Sequence, residues 1–309
     1  MKIFTLTLSP AFDLHCSAEA LSVGHENLVR LIRREAGGKG VNISRALKAG
    51  NIDALSVVLL GEDNASEFES SLDSYGLTYF PLRAAGRIRE NITIHLPDGE
   101  ETRISFEGFR AAPSVLDGIL EILGKEELDG SVVTFTGRAP DGIDLSLIKK
   151  FLHTLRKMGA RIVIDSRSFS LADLADCSPY LIKPNSEEIS HYVGREIRTP
   201  EEAAAAAVDI RRLGIENVMI TLGSEGAVLA TADGVLAAIP PRVTALSTIG
   251  AGDSSIAGFL SGISDGLSEF EALKRAVAYG TAACLTEGTL PPLADDILKI
   301  LPEIRTVGL

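Results

Sequence analysis

Short apolar segments with strand character alternate with segments of helical length along most of the 309 residues. Repeated strand–helix–strand units pack best as a parallel sheet that is covered by helices on both faces. We therefore expect an α/β fold with its ligands at the carboxyl ends of the strands. The predicted strands cover 3–8, 54–60, 132–136, 161–165, 180–183, 217–221 and 227–230. The predicted helices cover 41–49, 66–75, 114–123, 145–158, 186–193, 200–213, 254–266 and 268–285.

Two segments interrupt this rhythm, at about 11–35 and 87–107. Both show strand-like alternation without a helix of their own, and Pro97-Asp98-Gly99 within the second is typical of a hairpin turn. We interpret them as a small inserted β-sheet that stands off the main sheet and could serve as a lid or as a dimer surface. No linker divides the chain, so we expect one domain over residues 1–309.

Composition excludes several classes of function. A net charge of -12 argues against a broad surface for nucleic acid or for an anionic membrane. A small phosphorylated ligand remains compatible if its cations are concentrated locally. The three cysteines are few and widely spaced, so they predict a reducing, cytoplasmic setting and no disulfide framework. No apolar run is long enough to cross a bilayer.

The loop Gly250-Ala251-Gly252-Asp253 carries the strongest chemical signal. An apolar segment at 234–243 precedes it and a helix follows it. Its glycines let the backbone turn sharply against a ligand, and the first amides of the helix form an anion site suited to a polyphosphate. A carboxylate beside bound phosphate is costly unless it does chemistry, so Asp253 is the candidate base that deprotonates an attacking hydroxyl.

A second glycine turn, Gly37-Gly38-Lys39-Gly40, opens the helix that carries Asn42. It is not a Walker A loop, because Arg33 stands at the first glycine position and Gly40 replaces the Ser/Thr. It is either an ordinary helix start with a solvated lysine or a close approach for a polyhydroxylated ligand. Asp13, which follows the first strand, is either a turn residue or an acceptor of sugar hydroxyls.

Two further strand ends also have two interpretations. In Lys183-Pro184-Asn185-Ser186-Glu187-Glu188, Asn185 and Glu188 form a capping box, or they hold a hydrated Mg²⁺ near phosphates. The stretch 221–226, with Thr221, Gly223 and Gly226, is a plain β-turn or the border of a nucleotide site.

Four motifs occur in order over nearly the whole chain and resemble those of the PfkB group of sugar kinases in the ribokinase-like family. They are the segments 7–13, 37–42, 183–188 and 250–253. The lysine of Gly-Gly-Lys-Gly is similar to that of the branch with 1-phosphofructokinase and tagatose-6-phosphate kinase. The resemblance implies a ribokinase-like three-layer αβα core with a mostly parallel sheet, and a β-lid that often forms a dimer clasp.

The resemblance also implies roles for individual residues. Asp253 would be the base and the amides of Gly250, Ala251 and Gly252 the anion hole. The substrate-binding residues would be Asp13, Gly37, Gly38, Lys39, Asn42, Arg89, Arg103 and Arg138, of which Lys39, Arg89 and Arg103 would meet the sugar's phosphate. Lys183, Asn185, Thr221, Gly223, Gly226, Thr248 and Gly280 would border ATP, and Asn185 and Glu188 would order Mg²⁺ through water.

The implied activity is ATP-dependent phosphorylation of a hydroxyl on a sugar phosphate, with fructose 1-phosphate becoming the 1,6-bisphosphate. Three departures bear on the sugar: Ser9 replaces the usual asparagine, Arg138 replaces a serine, and Asp165-Ser166-Arg167-Ser168 replaces Asp-Thr-Ser-Gly. The alternatives are a tagatose-6-phosphate kinase and a non-catalytic regulator that binds sugar phosphate or nucleotide. A dinucleotide oxidoreductase is disfavoured, because no Gly-x-Gly-x-x-Gly follows the first strand.

Overall fold

The structure, a computed structural model, describes residues 1–309 and contains two sheets and ten α-helices. The strands are β1 (Ile3–Thr7), β2 (Ala11–Ser17), β3 (Arg30–Gly37), β4 (Leu55–Gly61), β5 (Thr78–Ala84), β6 (Arg89–His95), β7 (Glu101–Ser105), β8 (Val132–Thr136), β9 (Arg161–Asp165), β10 (Leu181–Ile182), β11 (Asn217–Thr221), β12 (Ala227–Thr231), β13 (Gly234–Ile239) and β14 (Arg305–Gly308). The helices are α1 (Lys39–Ala49), α2 (Ala65–Ser74), α3 (Ser114–Leu123), α4 (Leu145–Lys157), α5 (Leu171–Cys177), α6 (Ser186–Val193), α7 (Pro200–Arg211), α8 (Ala251–Ser264), α9 (Glu269–Ala283) and α10 (Ala294–Ile300).

The main sheet has ten strands in the order β5–β4–β1–β8–β9–β10–β11–β12–β13–β14. All pairs from β5 to β11 are parallel, and the last three strands are added antiparallel. The predicted α/β class is therefore confirmed. Strand β12 runs opposite to the parallel strands, and β13 runs in their direction again. The end of β13 therefore lies at the same edge of the sheet as the ends of the parallel strands, and the polar motifs of the sequence lie at this edge.

Helices cover both faces of this sheet, because successive strand residues point to opposite sides. In β9, Ile162 and Ile164 enter the larger apolar core, whereas Val163 enters the smaller one. Helices α2 to α7 contribute to the larger core, and α8, α9 and α10 contribute to the smaller one. Helix α8 packs closely on α9, since a Cβ on Gly258 would lie 2.5 Å from the carbonyl oxygen of Arg275. This contact fixes the helix that follows the Gly250–Asp253 loop.

The second sheet has four strands in the order β3–β2–β6–β7. Its central pair, β2 and β6, is parallel, and both outer pairs are antiparallel. The sheet has a small apolar cluster of its own, formed by Cys16, Ala18 and Ile94. Strand β2 starts four residues after β1 ends, so this sheet stands at the carboxyl edge of the main sheet.

Some elements differ from the sequence expectations. The strand expected over 234–243 ends at Ile239, because Pro240 and Pro241 cannot donate to a ladder. The strands β5 and β14 were not expected, and both form edges of the main sheet. None of the helices combines the length and the apolar character that a membrane span requires.

Candidate active site

One cavity of about 1060 Å³ opens at the carboxyl edge of the main sheet and extends to the second sheet. A pocket for one small ligand is at most about 1,000 Å³, so this cavity has room for a nucleotide and a second small molecule. The predicted residues that line it are Asp13, Gly38, Lys39, Asn42, Arg89, Arg103, Arg138, Lys183, Asn185, Glu188, Thr221, Gly223, Gly226, Thr248, Gly250, Ala251, Gly252, Asp253 and Gly280. Gly37 lies behind the lining, where a Cβ would come within 2.7 Å of the Asp13 carboxylate.

The Gly250–Asp253 loop forms the N-terminus of α8. Gly250 adopts a left-handed conformation with φ of 82°, which only glycine adopts without strain. No side chain caps the helix, and the amides of Gly252 and Asp253 donate to no backbone carbonyl. Free amides at a helix start carry partial positive charge, so this end of the cavity can bind an anion.

Asp253 lies in the first turn of α8 and is 6% exposed. Its Oδ2 accepts a hydrogen bond of 2.9 Å from the Asn42 side chain. Burial raises the pKa of Asp253 to about 6; Lys39 opposes this shift and Asp165 adds to it. A carboxylate with a pKa near neutrality is suited to accept a proton at physiological pH.

Asp13 lies in β2, on the side of the cavity that the second sheet forms. Its Oδ1 accepts hydrogen bonds from the side chains of Asn91, at 2.9 Å, and Arg103, at 3.2 Å. The side chain of Asp13 is 11% exposed and that of Arg103 is 45% exposed. Two neighbours within the second sheet therefore hold the carboxylate in place, while Arg103 also lines the cavity.

Three arginines, Arg89, Arg103 and Arg138, line the same cavity as Asp13. Burial lowers the pKa of Arg89, and the positive charges of Arg138 and Arg103 lower it further, against the attraction of Asp13. At Arg89, one carboxylate, Asp13, thus opposes two guanidinium charges, which leaves a local excess of positive charge in a protein whose net charge is -12. A dianion such as a phosphate would complete this group.

Several buried polar atoms of residues that line the cavity have no hydrogen-bond partner. They are Thr7 Oγ1, Asn42 Oδ1, Arg89 Nε, Asn91 Oδ1 and Thr136 Oγ1. Buried polar groups are normally paired, because an unpaired one costs about 1–3 kcal/mol. Donors and acceptors in such number between Asp13 and Asp253 fit a ligand with several hydroxyl groups.

Lys39 and Lys183 contact the same acidic residue, Asp165. Lys39 Nζ lies 2.7 Å from Asp165 Oδ2, and Lys183 Nζ lies 3.7 Å from Asp165 Oδ1. Burial alone would raise the pKa of Asp165, but Lys183 and Lys39 outweigh it and hold that pKa below its ordinary value. Burial would likewise lower the pKa of Lys39, but Asp165 and Asp253 together raise it. Lys39 therefore remains charged beside Asp253.

The residues predicted to border ATP line the other half of the cavity. Gly223 and Gly226 have φ values of 59° and 88°, so both turn positions need glycine. A Cβ on Gly280 would collide with the hydroxyl of Ser255 in α8. Sequence reasoning missed the apolar part of this wall, at Pro240, Pro241, Val243 and Ala245, because that segment reads as the end of a strand.

The structure shows Asn185 and Glu188 as a complete capping box at the start of α6. Glu188 Oε2 accepts the Asn185 amide at 3.0 Å, and its Oε1 accepts the Arg167 guanidinium at 2.7 Å. No group of three or more His, Cys, Asp or Glu side chains is arranged to hold a metal ion. A metal cage built only from protein side chains therefore does not fit, whereas Mg²⁺ that arrives with phosphates and keeps its water needs only one or two carboxylates nearby. Glu188 lines the cavity and fits that outer role.

Sequence reasoning also missed Asn91 of β6, which donates a hydrogen bond to Asp13 of β2 within the second sheet. A single polar residue in an alternating strand is usually part of a solvent-exposed face, and no motif in the segment singles out Asn91. The available signal was its period-two spacing from Arg89, because residues two apart in a strand point to the same side.

The fold and the site define an α/β phosphotransferase that acts on an alcohol group. A family model described as pfkB family carbohydrate kinase matches residues 11–296. The chain therefore belongs to the PfkB family of carbohydrate kinases, as the four motifs indicated.

Similar proteins include 1-phosphofructokinases from three bacteria. The chain is 32% identical to the enzyme of Haemophilus influenzae over 91% of this chain and 90% of the relative. It is 32% identical to the enzyme of Escherichia coli K12, again over 91% and 90%. It is 29% identical to the enzyme of Bacillus subtilis over 99% and 100%.

Among solved structures, phosphofructokinase-2 from Escherichia coli in complex with substrates and products superposes with a TM-score of 0.92, 27% identity, and coverage of 98% and 99%. A possible 1-phosphofructokinase from Thermotoga maritima superposes with a TM-score of 0.84 at 20% identity, over 100% of both chains. The second likeness supports the fold alone.

Proposed function

We propose that this protein is a 1-phosphofructokinase, which transfers the γ-phosphoryl group of ATP to fructose 1-phosphate and forms fructose 1,6-bisphosphate. One observation carries the proposal: a buried carboxylate, Asp253, lies beside an uncapped helix N-terminus in a cavity that three arginines also line. The curated relatives that cover nearly the whole chain carry the same activity.

At the acceptor end, the arginine group formed by Arg89, Arg103 and Arg138 would pair with the 1-phosphate of the sugar. The unpaired polar atoms of Asn42 and Asn91, together with Asp13, would bind the sugar hydroxyls. This arrangement leaves the hydroxyl at the other end of the sugar next to Asp253. Anchoring both ends of a substrate converts the attack into an effectively intramolecular step.

In the transfer step, the hydroxyl oxygen forms a bond to the γ-phosphorus while the bond to the β–γ bridging oxygen breaks. Asp253 accepts the hydroxyl proton, and ADP leaves with the bridging oxygen. Proton transfer to a positioned base contributes about a hundredfold to ten-thousandfold. The free amides of Gly252 and Asp253 would stabilise the charge on the phosphoryl oxygens, which is usually the larger contribution.

The nucleotide would lie along Thr221, Gly223, Gly226 and Gly280. Mg²⁺ bound to the phosphates would neutralise charge that develops during transfer, and Glu188 would hold its water shell.

The second sheet would act as the lid of a single kinase domain, and its closure would exclude water from the phosphoryl group. Four apolar side chains on its strands β3 and β7 and just beyond, Leu31, Ile32, Ile104 and Phe106, are between 45% and 57% exposed. Such a surface supports a homodimer formed through the lid. Phosphofructokinase-2 from Escherichia coli has been solved in a tetrameric form, so assembly occurs in a similar protein. The three free cysteines support a reducing, cytoplasmic site of action.

The test is a panel of acceptors with purified protein and ATP, read as kcat/KM. We expect fructose 1-phosphate to exceed tagatose 6-phosphate, fructose 6-phosphate and unphosphorylated fructose. A preference for tagatose 6-phosphate would favour the related kinase. Binding of sugar phosphate and ATP without ADP production would favour a regulator that has lost the chemistry.

A further inference from the structure

Asp165 at the carboxyl end of β9 lies under the cavity between two lysines that come from different sides of the site. It is 4% exposed. Lys39 reaches its Oδ2 from the first residue of α1, on the acceptor side, and Lys183 approaches its Oδ1 from the end of β10, on the nucleotide side. All three residues line the cavity.

We propose that Asp165 is a positioning residue that aims the ammonium groups of Lys39 and Lys183 at the phosphoryl group in transit. The proposal rests on the proposed kinase function. Lysine side chains are long and flexible, and a buried carboxylate that engages both of them restricts each to one direction. One negative charge against two positive charges leaves a net positive charge facing the cavity, where the phosphoryl oxygens would pass.

The geometry of the Gly250–Asp253 loop agrees with this role. Lys183 Nζ lies 3.1 Å from the point where a Cβ on Gly252 would stand. The absence of a side chain at Gly252 therefore lets the ammonium group lie directly against the loop. Lys39 lies on the other side, near enough to Asp253 that each of the two influences the pKa of the other.

A purely structural role explains this arrangement less well. A buried ion pair contributes little to stability, because the cost of desolvating the charges offsets their attraction. An aspartate that needed only neutralisation would require one lysine, and that lysine would not need to reach the cavity. Here both lysines line the cavity and contact opposite oxygens of the carboxylate.

The arrangement has a consequence that can be measured at Asp253. The charged groups that influence it are Lys39 from α1, Asp165 from β9 and Lys183 from the end of β10, and Asn42 donates a hydrogen bond to it. Removing the negative charge of Asp165 favours the ionised form of Asp253 and lowers its pKa. Removing the positive charge of Lys39 disfavours the ionised form and raises its pKa.

The experiment measures the pH profile of kcat/KM for fructose 1-phosphate with wild type, Asp165→Asn and Lys39→Met. We expect kcat to fall about tenfold to a hundredfold in Asp165→Asn, because the two lysine ammonium groups are no longer held in a fixed direction toward the phosphoryl group. We expect the acid limb to move to lower pH in Asp165→Asn and to higher pH in Lys39→Met, each by about one unit. Titration of the substrate is common to all three proteins, so it cannot produce opposite shifts.

A matched control is the pair Lys48 and Asp53, which are 3.1 Å apart on the outside of the protein, with Lys48 also on α1. Asp53→Asn and Lys48→Met should leave both kcat and the acid limb unchanged. Equal or absent shifts in the two cavity variants, with an active wild type, overturn the positioning role and leave the proposed function intact. A wild type that turns over no sugar phosphate overturns both. If thermal melting shows that Asp165→Asn does not fold, Lys39→Met still tests the inference. An acid limb of the Lys39→Met profile that stays in place or moves to lower pH overturns it.

Discussion

The arginine group that lines the cavity leads to a quantitative prediction for Arg103→Met. The guanidinium of Arg103 lies 3.2 Å from Asp13, and its side chain is 45% exposed, so it can turn to a phosphate. A hydrogen bond that involves a charged group contributes about 1.5–3 kcal/mol, and half exposure places Arg103 at the lower end, about 1.5–2 kcal/mol. Methionine keeps the apolar stem and removes the charge. We therefore expect kcat/KM for fructose 1-phosphate to fall about 10- to 30-fold.

The assay compares fructose 1-phosphate with unphosphorylated fructose in the same variant, because loss of the Arg103 contact with Asp13 affects both sugars equally. The ratio of the two kcat/KM values isolates the contribution of the phosphate. Arg83→Met is the matched control: Arg83 contacts Glu69 at 2.7 Å and is 39% exposed, but it lies outside the cavity. An equal loss for both sugars would refute the assignment of Arg103 to the phosphate.

Three further predictions follow from the same geometry. The pKa of Asp253 is raised to about 6, and Asp253 must be ionised to act as the base. We therefore expect kcat/KM for unphosphorylated fructose to fall as the pH drops through about 6 and to remain level above it. A profile that is flat down to pH 5 would contradict the assignment. In Gly40→Ala, the new Cβ would lie 2.5 Å from the backbone oxygen of Leu6, so the free energy of unfolding should fall by about 1–3 kcal/mol in a denaturant titration. The fall should be larger than in Gly308→Ala, where no atom lies within 4 Å and the backbone φ is not positive. Glu188→Gln should raise the Mg²⁺ concentration for half-maximal activity, and an unchanged Mg²⁺ dependence would remove Glu188 from the metal's surroundings.

Much of the fold could be predicted because local signals and tertiary structure agree. Buried parallel strands are short apolar runs, and each is separated from the next by a helix with its own periodicity, as 132–165 illustrates. The missed strand β5 lies at the edge of the sheet and contains Pro81, which a ladder tolerates only at an edge or a bulge. The proline in the middle of this segment therefore argues against a strand when the sequence is read alone.

Likewise, only part of the candidate site could be predicted from the sequence. The Gly250–Asp253 loop was visible because the residues that make an anion site are consecutive in the chain. The arrangement around Asp165 was not visible, because Lys39 and Lys183 are separated from it by 126 and 18 residues and meet it only through the order of strands in the sheet. Arg167 was noted as a departure, but its contact with Glu188 requires the structure.

The most direct test of the account is Asp253→Asn, which keeps the shape of the side chain and removes its ability to accept a proton. ATP binding should be retained by calorimetry, whereas kcat with fructose 1-phosphate should fall by at least about a hundredfold. A variant that binds ATP and turns over at a rate near that of wild type would contradict the central claim, that this buried carboxylate beside the free amides of α8 is the base.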